Sequence, residues 1–380
     1  MRAVNPTLRG DYLKIIVVTV VISFWLDAQT PQNARSLDQQ GKFAEAAEAW
    51  RAVTKANPHD ALAFASLGLD LARQQKYVEA VSAYRKASAI NPKLPGLQLN
   101  LGLAQFKQGH FEAAIAPLKL AAAADKPGVQ ARTLLGMAYY GASRFKEAEQ
   151  SLRPLVEADP SNLELRQVLA QGCLGAKDYP CALAEFRAIL EQNPDSPAVH
   201  ILLGEALDAQ SETEQAVTEF QAAERLDPHL PDVHFGLGYL FWKRRMFEDA
   251  RREFEAELVL NPTNEQALAY LGDVELQTKH LERAESLLRQ STEGSKTFRI
   301  AYLDLAQLAV LQKKYDDAIR ALRHAIAMDP SQPDAHYRLG RIYQSLGRTA
   351  EAEAQFAKTR ELHQKSDDAA VFKLPAPPRP

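Results

Sequence analysis

The chain has 380 residues, a formal net charge of −3 and two cysteines. At about 100–200 residues per domain, this length fits two or three globular domains or one long repeat array. A near-neutral chain lacks the clustered basic charge that nucleic-acid binding requires, and two cysteines cannot supply a four-cysteine zinc site or a disulfide scaffold. We therefore predict no nucleic-acid partner.

Residues 1–28 have the pattern of a targeting segment. Three basic residues come first, namely Arg2, Arg9 and Lys14. Residues 15–26 then form a predominantly apolar run of 12, which is shorter than the roughly 20 residues of a bilayer-spanning helix and suits a secretory signal. We predict a signal peptide cleaved after Ala28 and an exported, periplasmic or extracellular protein. Two alternatives remain: residues 12–26 as an uncleaved membrane anchor, which would be the chain's one membrane contact, and a buried core helix.

From residue 29 to residue 364, the same residue types return every 34 positions without an insertion. With Ala61 counted as position 1, position 8 holds only glycine or alanine, and position 20 holds alanine from Ala46 to Ala352. Position 7 holds leucine in nine repeats: Leu67, Leu101, Leu135, Leu169, Leu203, Leu237, Leu271, Leu305 and Leu339. A fixed period of this length is the signature of a repeat array.

Each repeat divides into two helices. Apolar or small residues at positions 4, 7, 8 and 11 fall on one helical stripe, and those at positions 20, 24 and 27 form a second stripe. Glycines such as Gly41 and Gly109 mark a turn between them, and prolines such as Pro92 end the second helix. Because glycine inside a helix costs about 1 kcal/mol relative to alanine, its recurrence at position 8 predicts a tight crossing of two helices. The pattern predicts about twenty helices in ten hairpins.

The period, the leucine and glycine of the first helix, the alanine of the second and the closing proline resemble the tetratricopeptide repeat family. The resemblance covers residues 29–364 and implies an all-α fold, a right-handed superhelical solenoid with a groove lined by the first helices. It also implies a protein that binds other molecules and is not an enzyme. Residues 365–380 end in LPAPPRP and are predicted to be a proline-rich disordered tail.

In the resembling family, positions 2, 5, 6, 9, 12 and 13 of the first helix face the groove. In this sequence those positions give five aromatic candidates for partner binding: Tyr140, Phe235, Tyr239, Trp242 and Tyr270. The same positions hold polar side chains, namely Asn100, Gln167, Glu205, Asp273, Asp304, Arg338 and Arg341.

Phe235, Tyr239 and Trp242 share one helical face by their spacing. That face is not needed by the predicted core stripe of the same helix, which consists of His234, Leu237, Gly238 and Phe241. Aromatic anchors often dominate binding energy, so we predict a non-catalytic exported scaffold that holds a protein or peptide partner in its groove. The alternative is a polysaccharide-binding array of an envelope polysaccharide export or assembly system, with Tyr140, Tyr239 and Trp242 stacked on sugar rings.

Cys173 and Cys181 lie in one repeat on opposite sides of its turn. In an oxidising compartment they are candidates for a disulfide. The alternative is a small, buried Cys173 with an exposed Cys181 that faces away from it.

The sequence predicts no catalytic residue, no cofactor and no metal. Ser143 and Lys146 match an S-x-x-K pattern, but they fall in a turn and the accompanying elements of acyl enzymes are missing. A histidine recurs at position 4 as His200, His234 and His336. Equivalent positions of successive repeats are too far apart to share one ion, so we interpret these rings as packing between helices.

Overall fold

A computed structural model describes residues 30–124, 128–294 and 298–371. Within these ranges the chain is helical and has no strand, so the predicted all-helical array of ten hairpins is confirmed. The predicted targeting segment, residues 1–28, lies outside the described residues. The helices are α1 (Pro31–Gln39), α2 (Phe43–Ala56), α3 (Ala61–Arg73), α4 (Tyr77–Ile90), α5 (Leu97–Lys107), α6 (Phe111–Ala124), α7 (Val129–Gly141), α8 (Phe145–Ala158), α9 (Leu163–Gly175), α10 (Tyr179–Gln192), α11 (Pro197–Ala209), α12 (Thr213–Leu226), α13 (Val233–Lys243), α14 (Phe247–Leu260), α15 (Glu265–Gln277), α16 (Leu281–Gly294), α17 (Arg299–Leu311), α18 (Tyr315–Met328), α19 (Pro333–Ser345) and α20 (Thr349–Val371).

Short polar side chains cap the N-termini of several first helices. The Asp60 carboxylate accepts a hydrogen bond from the Ala63 N–H at 3.0 Å, and the Asn264 side chain accepts one from the Ala267 N–H at 3.1 Å. These caps satisfy backbone donors that have no partner inside the helix. The hairpins that carry such a cap therefore begin at a site that the local sequence specifies.

A residue with a left-handed backbone conformation follows the first helix of every hairpin. Position 15 has a positive φ in all ten hairpins, from Gly41 at 74° to Gly347 at 73°. Glycine holds this position in three hairpins, as predicted, and other residues hold it in the remaining seven: Gln75, Ser143, Lys177, Ser211, Arg245, Lys279 and Lys313. The following N–H then donates back into the helix, as Lys76 does to the Leu71 carbonyl at 2.9 Å. This arrangement satisfies a terminal carbonyl and turns the chain.

Small residues at position 8 allow the two helices of a hairpin to cross closely. A Cβ atom added to Gly68 would lie 2.6 Å from the Tyr84 ring, and one added to Gly204 would lie 2.7 Å from Phe220 Cδ2. The opposing side chain comes from position 24 of the same hairpin in both cases. The predicted tight crossing is therefore confirmed, and it explains why a costly glycine recurs there.

The described residues divide into two compact units, with the boundary between Ile189 and Leu190. In the first unit, Trp50, Leu71 and Tyr84 lie in one continuous hydrophobic core. In the second unit, a core around Leu322, Leu339 and Tyr343 packs the last two hairpins together. Helices such as α3 and α4, or α11 and α12, pack as pairs.

The last helix is longer than the repeat pattern predicts. α20 continues to Val371, past the predicted boundary at residue 364. The first proline after this helix is Pro375, so no helix-breaking residue stops it earlier. Residues 372–380 of the predicted tail lie outside the described residues. Over the parts of the chain that the structure describes, no helix is both long and apolar enough to cross a bilayer.

Candidate partner-binding site

Four of the five predicted aromatic residues come together in the second unit. Phe235, Tyr239 and Trp242 project from one face of α13, and Tyr270 projects from the neighbouring helix α15. The Tyr270 ring centroid is 4.9 Å from that of Trp242, 5.5 Å from that of Tyr239 and 6.0 Å from that of Phe235. All four side chains are half-buried. We call these four residues the aromatic cluster.

A buried layer supports the aromatic cluster from below. The predicted core stripe of α13, including His234, Leu237 and Phe241, is buried. Phe254 on α14 is fully buried, and its ring stacks on Tyr270 at 5.8 Å. The rings of the cluster therefore rest on a packed floor and keep part of their surface in solvent.

Two acidic side chains occupy groove positions near the rings, Asp273 on α15 and Asp304 on α17. The Trp242 indole N–H donates to Asp273 Oδ2 at 2.6 Å, and the Gln277 amide donates to Asp273 Oδ1 at 3.0 Å. Asp304 on α17 stands 34 residues after Tyr270, in the equivalent position of the next repeat. Asp273 and Asp304 are each only 6% exposed.

Burial dominates the electrostatics of this region. Burial raises the pKa of Asp304 well above its ordinary value, the charge of Asp273 raises it further, and Arg338 opposes the rise. Burial also raises the pKa of Tyr270 to about 12, with contributions from Tyr239, Asp273 and Asp304. Tyr270 therefore keeps its hydroxyl proton at neutral pH. The repeat pattern predicted both acids at groove positions, but it did not predict that they are buried.

Tyr140, the fifth predicted residue, lies in the first unit. It is a half-buried residue of α7, and its ring contacts Phe145 edge-on with centroids 5.8 Å apart. This ring contact thus lies within its own hairpin, formed by α7 and α8.

Sequence models described as tetratricopeptide repeats match most of the chain. One model matches residues 32–95, 99–162 and 235–296, and a second matches residues 139–205, 173–234 and 309–374. The chain belongs to the tetratricopeptide repeat (TPR) family. Proteins built from TPR motifs bind protein or peptide partners and are generally non-catalytic scaffolds.

Solved structures that resemble this TPR chain include the APC/C hetero-tetramer Cut9–Hcn1. That similarity has 14% identity and a TM-score of 0.52, and it covers 87% of this chain and 72% of the other. The C-terminal part of a TPR repeat-containing protein from Cytophaga hutchinsonii is 18% identical with a TM-score of 0.51, over 63% of this chain and 98% of the other. At these identities the likeness shows the fold alone. No curated protein sequence matches the chain significantly.

The two cysteines of the TPR array are joined across the turn of one hairpin. A disulfide links Cys173 on α9 to Cys181 on α10, with Cα atoms 5.8 Å apart. Cys181 is buried, with 8% exposure, and does not face away into solvent as the alternative expected. Formation of this disulfide in an oxidising compartment stays a prediction.

The Nδ1 atom of each recurring histidine lies within hydrogen-bond distance of a side chain on the second helix of its own hairpin. The Nδ1 atom of His200 is 2.7 Å from Glu219 Oε2, and that of His336 is 2.7 Å from Gln355 Oε1. His234 lies close enough to Glu224 and Glu253 for the three to be considered as metal ligands. However, its Nδ1 is 2.9 Å from Glu253 Oε2 and its Nε2 is 3.1 Å from the Pro228 carbonyl oxygen. Both ring nitrogens therefore lie within hydrogen-bond distance of oxygen atoms, and the absence of a metal stays a prediction.

Proposed function

We propose that this TPR protein is an exported, non-catalytic scaffold that binds a peptide segment of a protein partner on the aromatic cluster. The observation that carries the proposal is the grouping of Phe235, Tyr239, Trp242 and Tyr270 as half-buried rings on adjacent first helices. Buried side chains already fill the core beneath them. Their remaining exposed area is thus available to a partner.

The geometry of the cluster suits a low-cost binding surface. The Trp242 indole is held by its hydrogen bond to Asp273, and its ring stacks on Tyr239 at 5.8 Å. Side chains that are already ordered lose little rotamer freedom when a partner binds. Large rigid rings in such settings are frequent hot spots of binding energy.

Replacement of Trp242 by alanine is expected to weaken peptide binding more than it weakens folding. We expect a loss of about 2 kcal/mol or more of binding free energy, because an anchoring aromatic is removed. The assay is selection of random displayed peptides on the folded protein, followed by affinity measurement for the selected peptides. Tyr337→Ala is the matched control, since Tyr337 is an exposed ring at a groove position of α19, outside the aromatic cluster.

Several outcomes would contradict this proposal. Selection that retains no peptide would remove the peptide-binding function, and equal losses in Trp242→Ala and Tyr337→Ala would remove the assigned site. An array of oligosaccharides tested beside the peptides examines the polysaccharide alternative. Binding of sugars, and not of peptides, in a manner that depends on Trp242 would favour that alternative.

Export is proposed from the basic and apolar pattern of residues 1–28 alone. We expect the mature protein, isolated from the compartment in which it accumulates, to begin at Gln29. Mass spectrometry of the N-terminal peptide after cell fractionation measures this directly. An intact N-terminus in the membrane fraction would contradict cleavage and support the anchor at residues 12–26.

A further inference from the structure

One oxygen of the buried Asp304 carboxyl group has no hydrogen-bond partner among the described residues. The side chain of Asp304 is 6% exposed, and its Oδ2 atom is the oxygen that accepts no such bond. Arg338 is the cation that acts on it, yet the Arg338 guanidinium donates to the Leu303 carbonyl oxygen at 3.3 Å. Burial without a hydrogen-bond partner is unfavourable for a carboxyl group, and most of all for its ionised form. The site therefore lacks a hydrogen-bond donor for Asp304 Oδ2.

The position of Asp304 relates this carboxylate to the aromatic cluster. It occupies in α17 the place that Tyr270 occupies in α15, and these two helices pack against each other. The charges of both Asp273 and Asp304 act on Tyr270. Two carboxylates and the rings of Tyr270 and Trp242 thus belong to one local environment.

The chemistry of this environment selects against most side chains. An acidic side chain or a terminal carboxylate would bring another negative charge next to two buried carboxyl groups, those of Asp273 and Asp304. An apolar side chain would contact the rings but leave Asp304 unpaired. A cation can interact with both the rings and the carboxyl groups. The faces of tryptophan and tyrosine rings attract positive charge, and a carboxylate pairs with it.

We propose that the aromatic cluster, Asp273 and Asp304 together receive a lysine or arginine side chain of the bound peptide. This inference rests on the proposed function and specifies the partner's chemistry. The cationic group lies against Tyr270 and Trp242 and donates a hydrogen bond to Asp304 Oδ2, the atom that has no partner among the described residues. Asp273 holds the Trp242 indole in place through its hydrogen bond.

The test compares peptides selected on the wild-type protein with those selected on Asp304→Asn. Asparagine has nearly the same shape as aspartate and removes the buried ionisable group, so the variant should fold. We expect lysine or arginine to be enriched among peptides selected on the wild type. Replacing that residue by norleucine should weaken binding about tenfold, the usual scale for a charge-assisted hydrogen bond. On Asp304→Asn the lysine peptide should lose most of its advantage over the norleucine peptide, because only the attraction of the ring faces for the cation remains.

A second variant separates a local pair from the general charge of the protein. Asp316 is exposed in the first turn of α18, so Asp316→Asn removes one negative charge from the same unit and should leave the preference for lysine intact. Selected peptides without basic residues, or a preference for lysine that is undiminished in Asp304→Asn, would overturn the inference and leave the peptide-binding function standing. A selection that retains no peptide would overturn both.

Discussion

Adding one methyl group at two glycines of the first unit is expected to change stability in opposite directions. In Gly136→Ala the new Cβ lies 2.4 Å from Leu152 Cδ2 and 2.5 Å from Leu152 Cγ. Because Leu152 is fully buried, we expect the free energy of unfolding to fall by about 1–3 kcal/mol. In Gly172→Ala the nearest atom, Ala148 Cβ, is 3.7 Å away. Alanine's higher helix propensity should then raise the free energy of unfolding by up to about 1 kcal/mol.

The two variants control for each other, because the substitution is the same and both glycines lie inside first helices, α7 and α9. Urea denaturation followed by circular dichroism measures both free energies. A Gly136→Ala protein as stable as the wild type would show that Leu152 can move aside and that the crossing is not tight. A large loss in Gly172→Ala would show that the space beside α9 is not open.

The fold was predictable because each hairpin repeats the same local signals. Leucine at position 7, a small residue at position 8 and alanine at position 20 specify which faces meet, and the 34-residue register carries that packing through the chain. The turn at position 15 was only partly visible in the sequence. Residues such as Gln75 and Lys279 adopt its left-handed conformation without being glycine, so the surrounding helix pair, and not local preference, imposes it.

The aromatic cluster was predictable for a similar reason. Spacing alone places Phe235, Tyr239 and Trp242 on one face, and a step of 34 residues from Gly236 places Tyr270 on the adjacent helix. The pairing of side chains between hairpins was not predictable. The bond from Trp242 to Asp273 and the unpartnered burial of Asp304 depend on distances between successive helices, which a residue pattern does not contain.

A second buried carboxylate, Asp70 in the first unit, is expected to make stability depend on pH. Asp70 is 1% exposed, and neither of its oxygens has a hydrogen-bond partner in the described residues. Arg73 Nη1 lies 3.7 Å from Asp70 Oδ1, but Arg73 also pairs closely with Asp38. Burial raises the pKa of Asp70 to about 7, and Asp38 adds to the rise, whereas Arg73 and the Trp50 indole oppose it.

The sign of the effect follows from the proton that Asp70 holds in the folded state. The ordinary pKa of this carboxyl is 3.8, so the folded protein binds the proton more tightly than the unfolded chain does. Its contribution to stability is complete below about pH 4 and is lost as the pH rises toward about 7. Asp70→Asn resembles the protonated form at every pH. We expect it to exceed the wild type in free energy of unfolding by about 1–3 kcal/mol above pH 7, and to match it near pH 4.

Urea denaturation of the wild type and Asp70→Asn across this pH range measures the difference between them. Asp38→Asn is the informative second variant, because it removes the like charge and releases Arg73 to pair with Asp70. Both changes lower the pKa of Asp70, so the wild-type decline in stability should become smaller and move to lower pH in Asp38→Asn. A pH profile of Asp70→Asn that runs parallel to that of the wild type would assign the titration to another carboxyl. It would also mean that the folded protein holds Asp70 ionised, with Arg73 as its counter-ion.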